Sequence, residues 1–271
     1  MVVVAALVFA RAYHDPAAVL TTLGALALFT LASGSAYLLN DASDAEHDRR
    51  HPLKRNRPVA AGLLPVPVAL GVGSAGALIA IALGSLLAWP FGVTVAGYLA
   101  LQVAYSWRLK DVVLVDVIAI AVGFVLRAVG GALVIAVAIS PWLYLCTFLL
   151  ALFLAFNKRW GEIVALGSAG NARPVLQLYT REFLWTATVI TTASVLMSYA
   201  LYTFSAPNLP SNHAMMFTIP LVMYGLLRYL YLVHVHQRGE APERLLYQDP
   251  GILVSVIMWG ALSLALLQFA S

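Results

Sequence analysis

An all-α membrane protein is the fold class this sequence predicts, and three observations predict it. The chain has 271 residues, 62% of them hydrophobic and only 10% charged, with a mean hydropathy of +0.87. A soluble domain carries roughly 25% charged residues and cannot hide this much apolar surface, whereas lipid can. The apolar residues gather in runs close to the ~20 residues that cross a bilayer, and the cations collect in alternate linkers. No Pro/Gly/Ser-rich linker divides the chain, so a single domain over 1–271 is expected.

Taken in order, the runs predict about nine helices, near residues 2–12, 17–39, 66–88, 91–107, 112–137, 141–157, 183–204, 214–236 and 251–269. The first is short enough to be a partial span. Pro16, Pro65, Pro90, Pro141 and Pro250 stand near span starts, where a missing N–H costs little. Residues 2–10 are apolar, but no positive segment precedes them, so they do not read as a cleavable signal. Cys146, the one cysteine, lies in an apolar run and reads as a small core residue. Trp107, Trp142, Trp160, Trp185 and Trp259 lie near span ends and read as interface or packing residues.

Thirteen of the sixteen Lys and Arg residues fall in the linkers after the second, fourth, sixth and eighth runs. The positive-inside rule makes that face cytoplasmic. The net charge of +4 and pI near 9.3 therefore belong to membrane-facing loops, which points to phosphate groups or lipid headgroups and away from nucleic acid. The acids share the face, with Asp15 the clear exception. Topology does not require that, because Asp and Glu contribute little to orientation. Both signs on one face indicate a polar site there; solvated loops are the plain alternative.

Four groups carry the chemistry. At the end of the second run, Asn40, Asp44 and Asp48 stand at i, i+4 and i+8, with Asp41 beside them, so a continuing helix puts all four on one face. Acids at a helix C-terminus oppose the macrodipole. A magnesium ion bound through Asp41, Asp44 and Asp48 relieves their repulsion, since it takes carboxylate oxygens and leaves positions for water and substrate phosphate. The spacing fits neither an EF-hand nor a zinc site. Next come Arg49, Arg50, His51, Lys54, Arg55 and Arg57, whose forks and point charges suit a phosphate clamp, though the same residues serve as topology signal or lipid contact. Tyr105, Arg108, Lys110, Asp111 and Asp116 repeat the pairing of cation with carboxylate. Lys158, Arg159 and Glu162 occupy a helix end, with Arg173 and Arg181 after them; Glu162 is equally suited to ligating metal or to pairing with Lys158. Arg127 and Arg228 lie deep in spans, where a structural hydrogen-bond role and a lipid-phosphate contact stand level.

Asn40-Asp41-Ala-Ser-Asp44-Ala-Glu-His-Asp48, followed by Lys54-Arg55-Asn-Arg57-Pro58 and Gly62, resembles the first aspartate-rich motif of the UbiA-type prenyltransferase superfamily. Tyr105 with Leu109-Lys110 resembles its Tyr/Lys element, and the resemblance covers nearly the whole chain. Three further stretches resemble the decaprenyl-phosphate phosphoribosyltransferase branch: Arg49-Arg50-His51-Pro52; Asn157-Lys158-Arg159-Trp160-Gly161-Glu162; and Gly239-Glu240-Ala-Pro242-Glu243-Arg244 with Asp249. Aromatic prenyltransferases usually carry a second Asp-x-x-x-Asp motif where this chain has Lys158, Arg159 and Glu162. Replacing acid by base suits a donor with more phosphate, and it leaves a second fully coordinated magnesium without its acids. The family also generally begins with a basic, Trp-containing amphipathic segment, whereas this chain starts within an apolar stretch.

The resemblance implies a UbiA-like bundle in the cell (inner or plasma) membrane with its active site facing the cytoplasm. It implies transfer of 5-phosphoribosyl from phosphoribosyl diphosphate to a polyprenyl phosphate for cell-wall arabinan precursors, with release of diphosphate. Asn40, Asp41, Asp44 and Asp48 would be catalytic, the three aspartates through magnesium. Arg49, Lys54, Arg55, Arg57, Tyr105, Lys110, Lys158, Arg159 and Glu162 would bind substrate. A homo-oligomer is compatible with this reading. The alternative within the superfamily is prenyl transfer from a prenyl diphosphate to an aromatic or other acceptor. A transporter of a phosphorylated solute is the rival of another class, but transporters usually place charge near the midplane and show repeated halves.

Overall fold

The computed structural model describes residues 2–49, 54–166, 174–206, 209, 211–237 and 242–269, and every regular element among them is helical. The helices are α1 (Ala5–Phe9), α2 (Pro16–Ser43), α3 (Ala45–Arg49), α4 (Val66–Leu87), α5 (Trp89–Trp107), α6 (Val115–Val134), α7 (Pro141–Leu166), α8 (Pro174–Gln177), α9 (Arg181–Ser205), α10 (Ile219–His234), α11 (Pro242–Gln248) and α12 (Pro250–Phe269). Seven segments among the described residues are long and apolar enough to cross a membrane: α2, α4, α6, most of α7, α9, α10 with its preceding 3-10 turn, and most of α12. The chain is thus a multi-pass helical membrane protein.

Two members of the expected nine differ. The 19 residues of α5 reach across a bilayer by length, but its Trp, Tyr, Pro and Gln residues dilute its hydropathy. The run near residues 2–12 is not one helix. It breaks into a 3-10 turn, the five-residue α1 and a second 3-10 turn, with Arg11 in the left-handed region at φ 55°. Five residues rise only about 7.5 Å, far short of a span. Elsewhere the charged ends are more helical than the apolar runs suggest: α2 runs on to Ser43 and α7 to Leu166, and α3, α8 and α11 are short helices in the linkers.

Local chemistry starts these helices, at the predicted prolines for α2 and α12 and at a threonine for α9. Pro16 opens α2 after Asp15, whose carboxylate accepts from the Ala17 amide at 2.9 Å. Thr180 caps α9 by accepting from Phe183 N at 3.1 Å. Asp249 accepts from Ile252 N at 3.0 Å ahead of Pro250 and α12. Each cap satisfies an orphan amide at a helix start.

The chain forms two compact units. The first comprises residues 1–110 and 123–139, the second 111–122 and 140–271. In the first, α2 packs along α4 and α5 around Phe29, Phe91, Val95 and Tyr98, with Phe29 edge-on to both aromatic rings. Small residues permit close approach there: a Cβ on Gly131 would fall on the carbonyl oxygen of Val3. In the second, α7 packs on α9 and α10 on α12. Its cores are Phe153 with Tyr229, Leu232 and Ile252, and Val117 with Phe156, Val175 and Leu184.

Candidate active site

The acidic cluster sits in the first unit, where α2 ends. The helix does not run on unbroken. Asp44 is a turn residue between α2 and α3, yet the i→i−4 ladder survives it, with Asp44 N donating to Asn40 O at 2.9 Å and Asp48 N to Asp44 O at 2.8 Å. The spacing read from the sequence therefore keeps its meaning across the break. After α3 the chain returns through a 3-10 turn at Lys54–Asn56 and a reverse turn, in which Ala61 N donates to Arg57 O and Leu64 N to Pro58 O. Gly62 closes that turn at φ 77°, a conformation only glycine takes freely. Val59 and Ala60 are buried, with Val59 packed against Ala42, Ala45 and Ala69, and the Arg49 Nε donates to the Ala60 carbonyl at 3.2 Å.

That return delivers Arg57 to the acids. Its Nη1 donates to Asp41 Oδ1 and Asp48 Oδ2, both at 2.9 Å, so a single guanidinium nitrogen ties two of the three aspartates together. Lys110, in the 3-10 turn after α5, reaches the third, with Nζ 3.3 Å from Asp44 Oδ1. Asn40 and Tyr105 are half-buried nearby in sequence to these groups, Arg55 is exposed, and Asp48 is buried. The side chain of Lys54, and all of Arg50, His51 and Pro52, lie outside the described residues, as do Arg173 and Gly239–Ala241.

The donor set consists of carboxylate oxygens alone, which is what magnesium takes. Among the described residues, no three His, Cys, Asp or Glu side chains stand grouped as ready ligands. The aspartates turn toward Arg57 and Lys110 instead. The residues fit magnesium in kind, with the cations a diphosphate needs already beside them.

In the second unit the expected phosphate grip takes another form. Arg159 is 1% exposed. Its Nε donates to Asp116 Oδ2 at 2.7 Å and its Nη1 to Glu162 Oε2 at 2.5 Å. Arg159 was expected to meet substrate and Glu162 to pair with Lys158 or metal; the two bind each other at i, i+3. The reason is Asp116, fully buried in the first turn of α6, which no reading of α7 alone supplies. A buried carboxylate demands a cation, Arg159 faces it, and Glu162 offers the guanidinium a second acceptor. Lys158, one residue away, is half-exposed.

Sequence reasoning missed Tyr179. Its hydroxyl donates to Asp116 Oδ1 at 2.6 Å and accepts from Leu114 N at 2.8 Å, where Leu114 has φ 67°. Burial, and then donation to Asp116, push the Tyr179 phenol well above its ordinary range, so it remains a proton donor. A lone tyrosine between α8 and α9 gave no sequence signal for this.

Of the two cations expected deep in spans, Arg228 on α10 is forked onto Asp249 through Nε at 3.2 Å and Nη2 at 2.9 Å. Arg127 on α6 donates through Nη2 to Tyr98 Oη at 2.7 Å and Ser33 Oγ at 3.3 Å. On α7, the Asn157 amide donates to Phe153 O while its oxygen meets His234 Nε2 at 3.1 Å, and His234 lies edge-on to Trp160 and Trp185.

An α-helical membrane bundle with an Asn-Asp-x-x-Asp-x-x-x-Asp cluster, met by an Arg and a Lys, defines a class of membrane transferases acting on diphosphates. The chain belongs to the UbiA prenyltransferase family, whose profile matches residues 1–249. It is 34% identical to the decaprenyl-phosphate phosphoribosyltransferase of Corynebacterium glutamicum, over 87% of this chain and 72% of that protein. It is 29% identical to the decaprenyl-phosphate phosphoribosyltransferase of Mycolicibacterium smegmatis, over 91% of this chain and 80% of that one. Its fold is similar to a UbiA homolog from Archaeoglobus fulgidus bound to DMAPP and Mg2+, with a TM-score of 0.68 and 19% identity over 90% of this chain and 86% of that one.

Proposed function

We propose that this protein transfers 5-phosphoribosyl from phosphoribosyl diphosphate to a polyprenyl phosphate and releases diphosphate. The observation that carries this reading is the similarity to two decaprenyl-phosphate phosphoribosyltransferases over most of both chains. The site chemistry supports it: Lys158, Arg159 and Glu162 stand where prenyltransferases of this superfamily usually place a second acidic motif, which leaves one carboxylate cluster and additional positive charge.

In the reaction, the bond from the anomeric carbon to the diphosphate oxygen breaks, and a bond from that carbon to an acceptor phosphate oxygen forms. The carbon passes through an oxocarbenium-like state. The acceptor phosphate is already ionised, so no strong general base is needed. Asp41, Asp44 and Asp48 would hold magnesium. When bound, that ion supplies charge neutralisation for the departing diphosphate. Arg57 and Lys110, already against those aspartates, grip diphosphate oxygens, and Lys54, Arg55 and Arg49 would add further phosphate contacts. Asn40 would orient a ribose hydroxyl or a ligand, and Tyr105 would bind substrate. Lys158 meets the acceptor phosphate, while Arg159 and Glu162 hold the α6–α7 pairing that positions it. The transferase lies in the cell membrane, with its charged linkers toward the cytoplasm and the polyprenyl tail in lipid.

The test is a donor assay in detergent. Purified protein and a short polyprenyl phosphate receive labelled phosphoribosyl diphosphate or labelled prenyl diphosphate, each with magnesium or EDTA. Lipid-extractable ribose label that requires magnesium is the expected result. Prenyl transfer to an aromatic acceptor without ribose transfer would replace this reading with the aromatic prenyltransferase one.

A further inference from the structure

Arg127 lies twelve residues into α6 by position, a depth of about 18 Å along that helix. A cation at such depth is costly and normally meets a carboxylate or a water-filled cavity. Two other guanidiniums set well inside long helices follow that rule: Arg159 meets Asp116 and Glu162, and Arg228 meets Asp249. Arg127 meets no carboxylate among the described residues. Its two hydrogen bonds both leave from Nη2 and end on hydroxyls, Tyr98 Oη and Ser33 Oγ.

The geometry holds the guanidinium in place without neutralising it. Arg127 stacks over the Tyr98 ring at 4.6 Å and the Phe124 ring at 5.1 Å. Tyr98 is fully buried and receives a further hydrogen bond from Gln102 Nε2 at 2.8 Å. Arg127 itself, Ser33 and Gln102 remain half-exposed. Three helices of the first unit thus fix a planar cation, with its Nε and Nη1 donors left for a ligand. A neutral residue would join the same hydroxyls at less cost in a span. An arginine is suited to a phosphate, whose oxygens match its fork.

The position of that fork relative to the carboxylates points to which phosphate. Ser33 and Asn40 on α2, and Asp44 in the turn that continues its hydrogen-bond ladder, stand at i, i+7 and i+11, within a narrow stripe of one face. From Ser33 to Asn40 the helix rises about 10 Å. A pentose carrying phosphate at one end and diphosphate at the other spans such an interval. Resting on the donor proposed above, we propose that Arg127, oriented by Tyr98 and Ser33, binds a substrate phosphate monoester, the donor's 5-phosphate, below the carboxylate cluster that takes its diphosphate. The acceptor's phosphate shares this chemistry, and the experiment separates the two.

Wild type, Arg127→Gln, Arg127→Lys and Tyr98→Phe are purified in detergent with magnesium. Donor KM, acceptor KM, and inhibition by ribose 5-phosphate and by inorganic diphosphate are measured for each. Arg127→Gln is expected to raise donor KM and weaken ribose 5-phosphate inhibition, each by about tenfold to hundredfold, the worth of a charged hydrogen bond. Diphosphate inhibition stays unchanged, Arg127→Lys recovers part of the loss, and Tyr98→Phe shows a smaller shift of the same kind. A rise in acceptor KM with ribose 5-phosphate inhibition intact would overturn the donor assignment and give the site to the lipid phosphate. Unchanged KM values, with only a shifted melting temperature, would make Arg127 structural and overturn the proposal. If Arg127→Gln does not purify, Tyr98→Phe decides on the same readings. Calorimetric titration of ribose 5-phosphate into wild type and variants separates this failure from that of the donor reading, because binding at Arg127 is read even where turnover is absent.

Discussion

The two charged clusters of this protein are built from the same residue types and differ in solvent access at their centres, although Asp48 of the first is buried and Glu162 of the second is part-exposed. Around the aspartate motif, Asp41 and Asp44 keep 21% and 29% of their side chains exposed, and Arg57 keeps 35%. In the second unit, Asp116 is fully enclosed and the Arg159 side chain is 2% exposed. Coulomb attraction in a dry interior is strong, and removal of one partner leaves an uncompensated charge. At a half-exposed site, solvent screens the pair and a ligand can displace it. The first cluster therefore has the properties of a site that exchanges partners, and the second those of a permanent fastening between α6, α7 and the segment before α9. A sequence reader sees Arg, Lys, Asp and Glu in both and assigns both to substrate.

Substitutions turn that contrast into measurements. The largest effect is expected at the open cluster: Asp44→Asn should reduce turnover by about a thousandfold or more, on the scale of lost electrostatic stabilisation of a leaving group. It should leave elution and melting in detergent unchanged, and normal turnover in that variant would remove the carboxylate cluster from the chemistry. The fastening should respond in the opposite way. Arg159→Met, which strands Asp116, should cost about 3–5 kcal/mol of stability, seen as a large fall in melting temperature. A raised substrate KM at unchanged melting would instead put Arg159 on the substrate. Tyr179→Phe removes one hydrogen bond to the same carboxylate and should cost about 1.5–3 kcal/mol, with KM values held. A variant as stable as wild type would show that Asp116 does not depend on it.

The smallest expected effect concerns the forked Arg228–Asp249 pair, a third of whose arginine is exposed. Hydrogen bonding from Arg228 leads the causes that hold the Asp249 carboxyl below the ordinary aspartate range. A carboxyl depressed in the folded state contributes stability that is present above its unfolded pKa of about 3.9 and is lost as pH falls through the folded value. Melting in detergent should thus drop slightly more steeply below about pH 4 in wild type than in Asp249→Asn. Identical acid slopes would show that the pair contributes nothing measurable.

Composition and order determined the membrane class, most helix positions, the proline-marked starts and the aspartate motif with its cations. These are local matters: apolar length, period and spacing are properties of the chain itself, and Asp41, Asp44, Asp48, Arg57 and Lys110 read as one site because four of them lie within seventeen residues of each other. The tertiary structure decided what spacing does not carry. It broke the first apolar run into turns. It set Arg159 against Asp116, forty-three positions distant, with Tyr179 sixty-three positions from the same carboxylate. It also set Arg127 against Ser33 and Tyr98 with no acid beside it among the described residues. A buried charge is defined by what encloses it, and in a helical membrane bundle those enclosing groups come from helices far apart in sequence, so their roles are fixed only when the helices pack.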